Sequence, residues 1–168
     1  SDLGARIVTL ELSAREAFLD DTVEAAAKAR YAALSGEGAV IVDQVEQLME
    51  DSDLIERNVM GILNSNFMLY RGLADGGALE MSEAEMLSDV WGQAQDVRDD
   101  SSEWLGAYLL LAYRPLGEDD VERYIDFWRS EAGQALNAAL FATFDKMFAD
   151  LAYLMGQSVA QNMRSQEL

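Results

Sequence analysis

The sequence predicts an all-α fold, a compact single-domain bundle of six to seven helices with its long C-terminal helix as the core spine. Half of the 168 residues are hydrophobic, and Pro115 is the only proline. Apolar residues recur at gaps of three and four along most of the chain, and few segments alternate with period two. A chain of this length suits one domain with a sizeable core.

The N-terminal third predicts one long helix after an ambiguous start. Residues 1–12 fit either an extended arm or the lead-in to a helix. Ser13 and Glu16 have the spacing of a capping box, so we expect a helix that begins there and continues to about Leu34. Gly36 lies in a Ser-Gly-Glu-Gly turn, where it suits the end of that helix.

The next two helices are predicted from residues 39–50 and from residues 54–70. Helical spacing in the first outweighs the strand-like run at 40–42. The run Ala-Asp-Gly-Gly at 74–77 interrupts the pattern and is the clearest loop of the chain. It allows subdomains 1–74 and 81–168, but no long polar linker follows it, so we expect a single domain.

A second capping box, Ser82 with Glu85, starts the following helix. The acidic and serine-rich run at 99–102 then predicts a turn and a new cap. Residues 104–113 are apolar nearly all round, which is typical of a fully packed central helix. Pro115 ends it, and residues 117–128 form another short helix.

The C-terminal pattern from Ser130 to Arg164 is the longest in the chain, and Ser130 is its expected cap. Gly133 stands one turn in, where we expect close contact with a neighbour, since glycine costs about 1 kcal/mol of helix propensity relative to alanine. One continuous stripe of large side chains predicts the core-facing side: Leu136, Leu140, Phe144, Met147, Phe148, Leu151, Leu154, Met155 and Val159.

Two short stretches resemble each other. Tyr-Arg-Gly-Leu at 70–73 and Tyr-Arg-Pro-Leu at 113–116 each follow an apolar helix and precede an acidic helix start. This similarity suggests two stacked helix-hairpin units, with chance similarity as the alternative.

Charge and composition exclude several kinds of function. The net charge of −19 disfavours nucleic acids and anionic membrane surfaces, and no apolar run is long enough to span a membrane. The chain has neither cysteine nor histidine, so disulfides and thiolate sites are excluded, and the usual neutral-pH base is absent. No signal peptide is recognisable.

Acidic clusters occur at 20–21, 50–53, 99–103 and 118–120. Paired acids can hydrolyse glycosides or hold a divalent cation, but acids at helix starts also favour the helix dipole. Because the spacing of an EF-hand is missing, we interpret the clusters as structural or solvated. No catalytic residue, metal ligand or cofactor is assigned.

The aromatic-rich second half contains the candidate ligand-binding residues. Trp104, Tyr124 and Trp128 are expected to line an apolar pocket or a docking face, with a packed core as the alternative. Arg114 could grip an anionic group beside them, although pairing with a neighbouring acid is the commoner role.

Residues 116–136 resemble the bacterial domain-of-unknown-function family 2059. The pattern ends in Phe-aromatic-x-Ser-x-x-Gly-x-x-Leu, and Phe127, Trp128, Ser130, Gly133 and Leu136 occupy those positions. The similarity extends over about residues 100–160. It implies an all-helical fold and a periplasmic or secreted protein, and it implies no activity.

The sequence therefore favours a non-enzymatic helical module that binds a protein partner in the bacterial periplasm, with homodimer formation left open. A carboxylate-dependent hydrolase and a carrier or sensor of a small apolar ligand are the alternatives.

Overall fold

The computed structural model describes residues 1–166, and among these the secondary structure is entirely helical. The all-α prediction is confirmed, with eight helices in place of six to seven. Their bounds are α1 (Asp2–Ala17), α2 (Asp21–Glu37), α3 (Val40–Asp51), α4 (Leu54–Asp75), α5 (Glu83–Gly92), α6 (Ala94–Tyr113), α7 (Glu118–Arg129) and α8 (Glu131–Gln166).

The chain forms two compact units, and each unit is discontinuous in sequence. Unit 1 contains Ser1–Ile55 and Asp100–Asn137, and unit 2 contains Glu56–Asp99 and Ala138–Leu168. Helices α4, α6 and α8 each contribute residues to both units. The loop at 74–77, where the sequence allows a division into subdomains, lies inside unit 2.

The extra helix comes from the N-terminal third, where the predicted single helix is wrong. The capping box at Ser13 does not form, because α1 already runs through Ser13 and ends at Ala17. Asp20 caps α2 instead, and its side chain accepts a hydrogen bond from the Thr22 backbone at 2.8 Å. The helix then ends at Gly38 rather than Gly36, since Gly38 has the left-handed φ of 67° that a helix terminus favours.

The turn predicted at 99–102 is also wrong, because α6 passes through it without a break. Asp99 accepts a hydrogen bond from Gln95 one turn earlier at 2.8 Å, and Ser101 is buried. Other local signals are confirmed: the capping box of Ser82 and Glu85 is complete, and α6 ends two residues before Pro115.

The core of unit 1 lies between α1, α3, α6 and α7. Its buried members are Ile7, Ala14, Val45, Leu48, Met49, Leu109, Ala112, Tyr113, Leu116, Val121 and Ile125. Helix α3 packs on α7 and on α2. The apolar part of α6 is a central element of this core, as its sequence predicts.

The corner between α7 and α8 depends on Ser130 and Gly133. The Ser130 hydroxyl accepts from the Gly133 backbone at 3.1 Å and donates to the Phe127 carbonyl at 2.6 Å. A Cβ at Gly133 would lie 2.1 Å from that same carbonyl oxygen. Both predicted roles are confirmed, since Ser130 caps α8 and Gly133 permits the close approach.

In unit 2, α4 contacts each of the other helical segments. Its Glu56 carboxylate accepts two hydrogen bonds from Arg98 of α6, at 2.7 and 2.8 Å. The Tyr70 hydroxyl donates to Asp89 of α5 at 2.9 Å. Tyr70 lies well inside α4, whereas Tyr113 ends α6, so the two similar sequence stretches differ in their positions on the helices.

Helix α8 packs on α4 through its small residues. A Cβ at Gly72 would lie 2.2 Å from the Tyr153 carbonyl oxygen, and one at Gly156 would lie 2.3 Å from the Leu69 carbonyl oxygen. A Cβ at Gly76 would lie 2.3 Å from the Cβ of Ala160. The two backbones therefore nearly touch, which only glycine and alanine allow.

The prediction that α8 is a core spine is wrong for this reason. The large apolar residues of its predicted stripe are between 41% and 61% exposed. Leu140 and Met147 are the least exposed of them, and Met155 is the most exposed. Successive helical residues are about 100° apart, so the small-residue face and the large-residue face lie on different sides of α8. The small face is buried and the large face points outward.

We expect Gly156→Ala to destabilise the protein by about 2 kcal/mol or more, because the new methyl group meets backbone atoms of α4 that cannot move independently. Gly92→Ala is the matched control, since Gly92 ends α5 and a Cβ there meets nothing within 4 Å. Its expected change is zero to about 1 kcal/mol of stabilisation. Urea unfolding measures both, and equal effects would contradict the close contact.

Candidate functional site

The four candidate ligand-binding residues of the sequence analysis all lie in unit 1, but they do not form one site. Arg114 is exposed, one residue beyond the end of α6. Trp104 belongs to one group of aromatic rings, and Tyr124 and Trp128 belong to another. The three aromatic residues are partly buried against other rings. This arrangement is the one that the sequence analysis gave as the alternative to a binding site, a packed core.

The first ring group contains Phe18, Trp104 and Tyr108. Trp104 stacks on Tyr108 with centroids 5.0 Å apart, and Phe18 meets both rings edge-on. The Arg15 guanidinium lies over the Trp104 ring at 5.3 Å, and the indole N–H donates to Glu24 at 3.3 Å. These contacts join α1 and α2 to α6.

The second ring group contains Tyr113, Tyr124, Phe127 and Trp128. Tyr124 is at its centre, with Phe127 stacked at 6.4 Å and both Tyr113 and Trp128 edge-on at 5.8 Å. Tyr113 is fully buried, so this group is continuous with the core of unit 1.

Glu11 of α1 connects the two ring groups. Its carboxylate oxygen Oε1 accepts hydrogen bonds from the Tyr113 hydroxyl at 2.6 Å and from the Tyr124 hydroxyl at 3.1 Å. Its backbone carbonyl accepts from the Tyr108 hydroxyl at 2.9 Å. We call these four residues, Glu11, Tyr108, Tyr113 and Tyr124, the Glu11 cluster.

The electrostatics of the Glu11 cluster keep its tyrosines protonated. Burial raises the pKa of Tyr113 well above its usual value, and the negative charge of Glu11 raises it further. The same two causes, in the same order, raise the pKa of Tyr124 and of Tyr108. Each hydroxyl therefore acts as a hydrogen-bond donor to Glu11 at neutral pH, and the cluster fastens α1 to α6 and α7.

Each acidic cluster contains a residue that caps a helix or forms an ion pair. Asp20 caps α2, and Asp51 accepts a hydrogen bond from Arg129 at 2.7 Å. Glu103 pairs with Lys28 at 3.7 Å. Asp120, in the first turn of α7, pairs with Arg6 of α1 at 3.7 Å. Over residues 1–166, no three acidic side chains converge as metal ligands would.

A second candidate surface lies in unit 2 and consists of the outward side of α8. We define the α8 stripe as its nine exposed large residues within that unit: Leu140, Phe144, Met147, Phe148, Leu151, Leu154, Met155, Val159 and Met163. At 1.5 Å per residue the stripe is about 35 Å long. Contiguous apolar surfaces of this size mark interaction sites in soluble proteins.

Along the stripe, α8 itself carries almost no net charge. Between Leu140 and Met163 the ionisable residues of α8 are Asp145, Lys146 and Asp150. Lys146 pairs with Asp150 one turn later, and Asp145 lies on the packed side, where its carboxylate faces Gly61. Along the stripe, α8 itself therefore contributes little of the acidic charge of the chain.

Sequence reasoning identified every residue of the α8 stripe except Met163 but assigned them to the core. It missed Glu11 completely, although one signal was present. Glu11 is a lone acid between Leu10 and Leu12, in a segment whose Ile7 and Ala14 are buried. An acid in an apolar stretch needs a hydrogen-bonding partner when it packs, which the tyrosines provide.

None of the described helices is both long and apolar enough to cross a bilayer.

We expect Tyr113→Phe to lower the free energy of unfolding by about 2 kcal/mol, since it deletes a buried hydrogen bond to a carboxylate. Tyr31→Phe is the control in the same unit, because the Tyr31 hydroxyl donates to Glu46 at 3.1 Å on the exposed surface. Its expected cost is about 0.5 kcal/mol. Chemical denaturation measures both, and a Tyr113 effect no larger than that of Tyr31 would contradict a structural role for the Glu11 cluster.

Tyr113 also predicts a loss of stability in alkali. Its folded pKa is raised, so its contribution is complete below about pH 10, where unfolded tyrosine ionises, and is lost as the pH rises towards the folded value. Over that range the group lowers the free energy of unfolding by about 1.4 kcal/mol per pH unit. Urea titrations at successive alkaline pH values give the free energy of unfolding as a function of pH. Its decrease per pH unit should be smaller by this amount in Tyr113→Phe than in the unaltered chain, and identical decreases would contradict the prediction.

No protein-family model, curated protein or solved structure matches this chain. The resemblance of residues 116–136 to family 2059 therefore stays a prediction.

Proposed function

We propose that the chain is a non-enzymatic helical module that binds a protein partner through the α8 stripe. One observation carries the proposal: α8 places Gly156 against the backbone of α4 and Ala160 against Gly76, and it leaves nine large apolar side chains exposed. Exposing such a surface to water costs about 25 cal/mol per Å² relative to burying it, so a partner that covers it gains a large free energy.

This proposal moves the binding surface away from the residues that the sequence favoured. Trp104, Tyr124 and Trp128 pack against other rings, and Tyr124 donates its hydroxyl to Glu11. Their contacts account for them as core residues. The α8 stripe has no comparable role within unit 2.

The other hypotheses receive no specific support from these contacts. A carboxylate hydrolase needs two acids that face each other across a cleft, whereas the acidic clusters described above contain helix caps and ion pairs. A carrier of a small apolar ligand needs free aromatic faces, and the candidate rings are in contact with one another. The periplasmic or secreted compartment belongs to the same proposal and rests only on the resemblance of residues 116–136.

A quantitative pull-down with the immobilised chain tests the proposed function. We expect partners recovered by the unaltered chain to be reduced at least ~10-fold by Leu151→Asp, which places a charge at the middle of the stripe. Leu19→Asp is the matched control, because Leu19 is 82% exposed in the turn between α1 and α2 and receives the same charge. Partner recovery that is insensitive to Leu151→Asp, or equally sensitive to both variants, would refute the α8 stripe as the binding surface.

A further inference from the structure

We infer that the occupant of the α8 stripe is the α8 stripe of a second copy of this chain, which makes the protein a homodimer. This inference rests on the proposed function and names its partner. It depends on three features of unit 2: the area of the stripe, its chemistry and its electrostatic surroundings.

The area of the stripe suits one side of a stable dimer. An aromatic side chain has roughly 150–250 Å² of surface and the leucine, methionine and valine side chains have less, so nine residues that are about half exposed present roughly 700–800 Å². A standard protein interface buries about 800 Å² on each partner, while the largest apolar patch of a typical monomer is about 300–600 Å². The stripe therefore matches what a specific interface buries and exceeds what a monomer usually leaves exposed.

The chemistry of the stripe is that of a helix-packing surface. Its members are leucine, methionine, phenylalanine and valine. The rings of its two phenylalanines, Phe144 and Phe148, are stacked with their centroids 6.2 Å apart. Apolar helix faces of this composition are complementary to another such face, and two-fold symmetry supplies one automatically. Interfaces between identical chains are also the more apolar class of protein interface.

The electrostatic surroundings favour a second copy over a basic partner. A basic protein would be attracted to an acidic rim, but along the stripe α8 carries only the neutral pair Lys146–Asp150 and Asp145, whose carboxylate faces Gly61 of α4. Two copies can therefore bring their stripes together without placing an unpaired acid of α8 in the interface. The net charge of −19 on each chain still repels at a distance, and salt screens that repulsion.

Salt dependence therefore distinguishes the two kinds of partner. Pairing of two acidic chains through an apolar surface strengthens as salt is added, because only the long-range repulsion is screened. Binding to a basic protein weakens under the same change, because attraction is screened.

Sedimentation velocity of the purified chain over a concentration series is the test. We expect a reversible dimer whose dissociation constant decreases as the salt concentration is raised from about 0.01 M to about 1 M. Over this range the Debye length shrinks from about 30 Å to about 3 Å. Leu151→Asp should raise that constant on the order of 100-fold or more, since the symmetric interface then holds two desolvated charges. Leu19→Asp adds the same charge to each chain and should leave the constant nearly unchanged.

Circular dichroism of both variants verifies that they fold, and the salt series of the unaltered chain needs no variant. A chain that stays monomeric at every concentration and salt level overturns the inference. So does a dimer that survives Leu151→Asp, or one that dissociates as salt is added.

The failure of the inference and the failure of the proposed function give different results. A monomeric chain whose pull-down partner is lost specifically in Leu151→Asp refutes self-pairing and keeps the binding function. A monomeric chain with no partner sensitive to the stripe refutes both.

Discussion

The near contact between the backbones of α4 and α8 is the constraint that determines the surface of unit 2. Gly72 and Gly156 leave no room for a side chain between the two helices, so α8 can dock only with its small-residue face. Because the small residues occupy the side of α8 that faces α4, its large residues must lie on another side of the helix. The exposed stripe is thus a direct consequence of two glycines, and any function that uses it depends on them.

In unit 1 the equivalent constraint is polar. Glu11 could not be packed beside the ring groups without donors, and three tyrosine hydroxyls reach its carboxylate and its backbone carbonyl. Two of these tyrosines come from α6 and one from α7, so a single residue of α1 contacts both helices. Of the three aromatic residues that the sequence marks as a binding surface, Tyr124 is one of these donors.

The sequence predicted the fold class because helical periodicity is a local property, and it predicted Ser82, Ser130 and Gly133 because their partners are a few residues away. It failed at Ser13 because that serine lies within a continuing helix, where the capping box has no helix end to cap. Periodicity located the stripe of α8 but could not reveal which face is buried, since that choice depends on Gly72, more than 60 residues away. Glu11 was missed for the same reason, because its partners Tyr113 and Tyr124 are remote in sequence.

Unit 1 is built from two segments that are separated in the sequence, and this separation has a consequence for folding during translation. The core of unit 1 joins residues of Ser1–Ile55 to residues of Asp100–Asn137, and the residues between these two segments belong to unit 2. At about 5–20 residues per second on the ribosome, the first segment emerges several seconds before α6 and α7 can cover it. During translation, core residues of α1 and α3 such as Ile7 and Val45 therefore precede by several seconds the helices that complete their core.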